Sequence, residues 1–142
     1  MLVDTLKTTL ADTFVLYFKA HSFHWNIEGS DFAQYHEFIG NFYEDVFSSV
    51  DSIAELIRTM DACAPTTLAR IQALSQMDEE ENILSAREML VKLRQDNDKY
   101  LAQLIKAYNE AETASEFGVS NHLQDRIQAH EKHAWMLRSI TK

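Results

Sequence analysis

Only three glycines and one proline interrupt a chain of 142 residues. Inside a helix glycine costs about 1 kcal/mol relative to alanine, and proline about 3 kcal/mol. A chain this poor in both is free to form long helices, and it lacks the frequent turn residues that an all-β fold needs. The apolar pattern agrees. Leu6, Leu10, Phe14, Phe18 and His21 recur at three- and four-residue spacing, with Val15 and Tyr17 broadening the face; they predict a first helix over residues 4–27, capped by Asp4. Gly29 ends it, and Ser30 or Asp31 opens a second helix of about 31–60. That helix carries Phe32, Tyr35, Phe38, Ile39, Phe42, Phe47, Val50, Ile53 and Ile57. So wide an apolar surface predicts both an internal core and a subunit interface. Pro65 breaks the pattern, and residues 61–78 form a crossing with a short helix from Leu68 to Leu74. The acidic run Asp78–Glu81 suits the positive end of a third helix reaching about Ala111. A turn containing Gly118 leads to a fourth helix over about 119–140. Long helices, two short joins and one long crossing describe an all-α four-helix bundle with a short extra helix in the crossover connection. The length suits a single domain, 1–142.

Composition excludes several classes. No run of eighteen apolar residues and no basic-then-apolar N-terminus occurs, so neither a membrane span nor a secretory signal is expected. The lone Cys63 cannot form an internal disulfide and suits a reducing cytoplasm. A net charge of −9 opposes non-specific nucleic-acid binding, which needs a basic surface.

Four residues carry the candidate chemistry: His24, His36, Asp51 and Glu55. Taken singly, a histidine is more often a hydrogen-bonded packing residue, and spaced carboxylates are more often a solvated helix face. Here the carboxylates share a helix whose surface is otherwise strongly apolar, and buried carboxylates need a partner or a cation. Asp51 and Glu55, four apart, share one helix face. His36 lies fifteen residues before Asp51, or roughly 22 Å along a helix rising 1.5 Å per residue. One ion held by all four must therefore sit between two subunits. The Glu-x-x-His pairs of an intramolecular di-iron bundle site do not occur anywhere in the chain. His21, three residues before His24, is a candidate to orient it. His130 and His133, three apart on the last helix, are metal candidates for which packing is the better reading, as it is for Trp25 and Trp135.

The run Lys19-Ala20-His21-Ser22-Phe23-His24-Trp25-Asn26-Ile27-Glu28-Gly29-Ser30-Asp31-Phe32, followed by His36-Glu37 and by Asp51-Ser52-Ile53-Ala54-Glu55, resembles the signature of the Dps family of mini-ferritins. His130-Glu131-Lys132-His133-Ala134-Trp135-Met136-Leu137-Arg138 resembles that family's final helix, so the likeness covers nearly the whole chain. It implies a ferritin-like bundle that assembles as a homo-oligomer, a dodecamer, around a hollow interior. It implies a ferroxidase: ferrous iron is held by His24 and His36 of one subunit and by Asp51 and Glu55 of another, oxidised by hydrogen peroxide or dioxygen, and stored as ferric mineral. Zinc suits the same donors. By the same likeness Glu37, Glu44 and Asp45 are candidates for nucleating mineral, and Asp125 for lining a pore.

Three departures stand out. Some members carry an acid four positions after the second histidine, where this chain has Gly40. A glycine pair that usually follows the carboxylate helix is replaced by Asp61-Ala62. The lysine-rich tail of DNA-binding members is absent, and DNA binding is not expected. The alternative is a Dps-fold structural shell, or a DNA-coating protein, with weak or no ferroxidase activity.

Overall fold

The computed structural model describes residues 1–142. It contains five helices and no strand: α1 (Leu2–Asn26), α2 (Phe32–Thr59), α3 (Leu68–Leu74), α4 (Ala86–Thr113) and α5 (Phe117–Ile140). Short joins make α1–α2 and α4–α5 adjacent pairs, and α1 packs on α4 to bring the pairs together. The expected four-helix bundle is thus present, with α3 lying against α1 within the long crossing. Leu6, Leu16, Phe42, Ile53, Leu93, Tyr100, Leu104 and Leu123 are fully buried between the long helices. Each such side chain contributes about 1.5–3 kcal/mol when removed from water. No helix is long and apolar enough to cross a membrane.

Several sequence expectations need correction. Met1, not Asp4, is the N-cap of α1, and Asp4 instead lies in its first turn, where its charge favours the helix dipole. α1 ends at Asn26; Gly29 serves the following turn, where its φ of +126° suits a residue without Cβ. Asp31 occupies the N-cap of α2 but makes no side-chain cap bond. Phe18, placed on the core face by its spacing, is 49% exposed.

The largest difference concerns α4. Asp78–Glu81 are not helical, and the helix begins at Ala86. Ser85 and Glu88 form a capping box: the Ser85 hydroxyl accepts the Glu88 N–H at 3.2 Å, and Glu88 Oε1 accepts the Ser85 N–H at 3.2 Å. Two satisfied backbone donors outweigh a favourable but diffuse charge–dipole attraction. The crossing is also tethered from below. Asp12, buried in α1, accepts the Ser75 hydroxyl at 2.8 Å and the Gln76 N–H at 2.7 Å just beyond the end of α3. Burial raises the Asp12 pKa, against the opposing pull of those two bonds.

Several polar groups within the bundle are paired. Lys19 and Asp96 join α1 to α4 at 2.7 Å with side chains only 2% and 11% exposed. Thr13 and Tyr100 share a hydrogen bond across the same pair of helices. Burial pushes the Tyr100 hydroxyl up to about 12.

Candidate metal centre

The end of α1 and the start of α2 are clasped by their own histidines. Nδ1 of His24 lies 2.8 Å from the main-chain oxygen of His36, and Nδ1 of His36 lies 2.7 Å from that of His24. A carbonyl oxygen only accepts, so both Nδ1 atoms are protonated and donate. In the neutral rings each Nε2 therefore keeps its lone pair for a ligand. The rings stack at 3.7 Å between centroids, 16° from parallel, and both residues are half-buried.

Gly40 makes this stack possible. A Cβ at that position would stand 3.0 Å from Cε1 of His24 and 3.2 Å from its Nδ1. One turn beyond His36, the helix backbone thus closes against the His24 ring. The glycine that departs from the family pattern has a steric role that spacing alone does not reveal.

Asp51 and Glu55 lie one turn apart on α2, and both are exposed in the single chain. α2 is one unbroken helix from Phe32 to Thr59, so the separation of His36 and Asp51 remains about 22 Å. The chain brings together two pairs, His24 with His36 and Asp51 with Glu55, and keeps the pairs apart.

A second cluster joins α2 to α5. Ligand atoms of Asp45, His130 and His133 all lie within 4.8 Å of one another. A guanidinium already serves this group. Arg126 donates from Nη1 to Asp45 Oδ1 at 3.1 Å and from Nη2 to Oδ2 at 2.9 Å. Its Nη2 also lies 3.1 Å from Nε2 of His130, which must be the acceptor because arginine only donates. His130 Nδ1 then donates to Asn97 Oδ1 at 2.7 Å, and Asn97 returns a bond to the His130 carbonyl at 3.0 Å. Burial and the nearby Arg126 charge hold the His130 pKa well below its ordinary value. Burial alone would raise Asp45, but hydrogen bonds from His133 and Arg126 outweigh it and hold the carboxyl well below the usual range. A metal here would have to displace a bidentate arginine, so the packing reading of His130 and His133 is the better one. Their spacing was visible in the sequence; the Asp45–Arg126 pair, 81 residues apart, was not.

Aromatic rings surround the first histidine pair. His21 stacks on Tyr43 at 3.9 Å and 10°, and Trp25 lies 4.2 Å from His21. The hydroxyl of Tyr17 lies 2.9 Å from His21 Nδ1. Burial and the coulombic influence of His24 lower the His21 pKa. Phe18, Trp25, Phe32 and Phe47 are 42–57% exposed around this region, an apolar surface of the kind expected at a subunit contact.

Four long helices with one long crossover are the architecture of ferritin-like bundles, and the profile of the Ferritin-like domain family matches residues 3–142. The DNA protection during starvation protein of Brevibacillus brevis is 31% identical over 136 residues, covering 95% of this chain and 91% of its own. The structure of Dps from Staphylococcus aureus superposes with a TM-score of 0.95 at 28% identity, over 99% of this chain and 95% of that one. Dps from Vibrio cholerae, described as a member of a broad superfamily of ferritin-like diiron-carboxylate proteins, superposes with a TM-score of 0.95 at 27% identity, over 99% and 89%. The chain belongs to the Dps family of ferritin-like proteins.

Proposed function

We propose that this protein oxidises ferrous iron with hydrogen peroxide, or with dioxygen, and stores the ferric product inside a dodecameric shell of identical subunits. The oxidation site is shared: His24 and His36 come from one subunit, and Asp51 and Glu55 from its neighbour. The observation that carries this reading is the clasped histidine pair, which presents two Nε2 lone pairs roughly 22 Å along α2 from the matching carboxylates. Two imidazoles and two carboxylates suit ferrous iron and stabilise the ferric state more, which favours electron loss. Zinc fits the same donors and would compete. The diiron-carboxylate description of the Vibrio cholerae relative supports iron over other cations.

The exposed pair Asp51 and Glu55 acquires a purpose in this reading. Alone, two carboxylates one turn apart repel; beside two imidazoles and a cation they are compensated. Asp51→Asn with Glu55→Gln keeps shape and removes both charges. Iron affinity and oxidation should collapse while the shell, followed by light scattering, persists. Mixed assemblies provide the decisive measurement. Subunits lacking His24 and His36, combined with subunits lacking Asp51 and Glu55, should recover part of the oxidation rate. No recovery in well-mixed assemblies would place the site within one subunit and end this reading. Gly40 favours one variant of it: without a carboxylate at that position a second ion is held more weakly, and we infer that oxidation begins from a single ferrous ion.

A further inference from the structure

We propose that Tyr17 is a one-electron donor to the oxidation, that His21 takes its phenolic proton, and that Tyr43 conveys the electron to the ring of His24. The inference rests on the iron-oxidation reading above and assigns residues that reading does not use.

The geometry is a short chain of aromatic groups leading from α1 to the metal ligand. Tyr17 is 6.0 Å from Tyr43, and Tyr43 is 5.2 Å from His24, between ring centroids. His21 lies stacked on Tyr43 at 3.9 Å and hydrogen-bonded to Tyr17 at 2.9 Å through Nδ1. A phenol that loses an electron becomes a strong acid, so the loss is easy only where a base waits within roughly 2.6–3.2 Å to take the proton. In the tautomer with Nε2 protonated, His21 offers Nδ1 as that base. Tyr17 has its acceptor in place.

The chemistry needs such a donor. Reducing one peroxide to two waters takes two electrons, and a single ferrous ion supplies one. With one electron only, the O–O bond breaks to hydroxide and a hydroxyl radical, the fragment that still lacks an electron. With Tyr17 the step balances: one ferrous ion, one phenol, one neutral His21, one hydrogen peroxide and two protons give one ferric ion, one phenoxyl radical, one protonated His21 and two waters. The O–O bond breaks, iron and phenol are oxidised, and both peroxide oxygens are reduced. A second ferrous ion then reduces the phenoxyl radical, which recovers its proton from His21. Two ferrous ions are consumed per peroxide, although only one is bound at a time.

The assembled protein, given one ferrous ion per site, is mixed with peroxide and freeze-quenched for electron paramagnetic resonance. A tyrosyl radical should appear in the wild type, vanish in Tyr17→Phe and fall several-fold in His21→Phe. Spin-trapped hydroxyl radical should rise in both variants. A tyrosyl signal that survives in Tyr17→Phe, an indole signal in its place in the wild type, or an undiminished signal in His21→Phe would overturn the proposal. Wild-type protein that forms no ferric iron in these samples would instead count against the iron-oxidation reading. A second measurement then still decides about Tyr17. Metal-free shells are photo-oxidised by ruthenium tris-bipyridyl with persulfate, and a long-lived tyrosyl radical should depend on Tyr17 and shorten several-fold in His21→Phe. Identical radicals in wild type and both variants would refute the couple.

Discussion

Replacing Gly40 by alanine tests how the fold sets His24, a proposed metal ligand. The added Cβ would meet the His24 ring at 3.0 Å, and ordinary contact begins at 3.4 Å, so the ring must retreat by about 0.4 Å. The ring has little freedom to do so. It is held on one side by its 2.8 Å bond to the His36 carbonyl and on its face by the His36 ring at 3.7 Å. Losing the carbonyl bond costs about 1 kcal/mol, while alanine gains about 1 kcal/mol over glycine in a helix interior. Stability should therefore change by less than about 1 kcal/mol, with moderate overpacking strain included. Metal binding should not be spared, because groups that orient a ligating histidine typically matter by about 10–100-fold in affinity. Isothermal titration of assembled protein with zinc measures that loss, and denaturant unfolding at the same protein concentration measures the stability. Normal unfolding with affinity kept within about twofold of wild type, against the tenfold expected from disturbing an orienting contact, would refute the claim that Gly40 places His24.

Stability should fall on acidification below neutral pH. Folding lowers the His130 pKa from an unfolded value near 6.5, so between the two values the unfolded chain binds the extra proton; stability is complete above about 6.5 and is lost as pH drops, by at most about 1.4 kcal/mol per unit for this group. His21 and His122, lowered chiefly by burial, act in the same direction; unfolding midpoints at pH 7 and pH 5 should differ clearly in wild type and less in His130→Gln, and equal slopes would show that His130 is not responsible. Arg126→Leu should cost about 2–3 kcal/mol, below the range for a fully buried pair because Asp45 is 34% exposed. The same variant frees Nε2 of His130 beside Asp45 and His133, and zinc titration should reveal added binding that wild type lacks; unchanged zinc uptake would mean that the arginine is not what keeps a cation out. The net charge of −9 predicts no tight DNA binding at about 0.15 M salt, where phosphate contacts from lysine and arginine supply most non-specific affinity, and a gel shift at that salt without added divalent metal would contradict it.

The bundle was legible because its signals are local and periodic. Apolar spacing along α1 and α2, and the scarcity of breakers, needed no knowledge of distant contacts. The pattern from Leu68 to Leu74 suffices for the short α3, which spans those residues. The start of α4 is not legible in the same way, because the acidic run at Asp78–Glu81 is a weaker start signal than the Ser85–Glu88 box seven residues on, and because the tether from Asp12 to Ser75 and Gln76 crosses more than sixty residues. The candidate centre was half legible. Which histidines lie beside the turn follows from helix spacing, but that each donates to the other's backbone does not. The meaning of Gly40 was hidden for the same reason: a missing side chain signals nothing until the ring that fills its space is known. The role of Arg126 is not legible either, because the sequence shows a charge without showing its two partners, Asp45 and His130.

The mutual bonds of His24 and His36 have a consequence for the proposed metal site. In many small metal-binding domains the ion holds the ligands in place, and removing it undoes the fold. Here each imidazole is moored by its inner nitrogen to the opposite helix's backbone, and only the outer nitrogen is left free for an ion. Without an ion both Nδ1–H groups keep their acceptors, and the two helices stay joined. A berth so built keeps its form whether or not an ion occupies it.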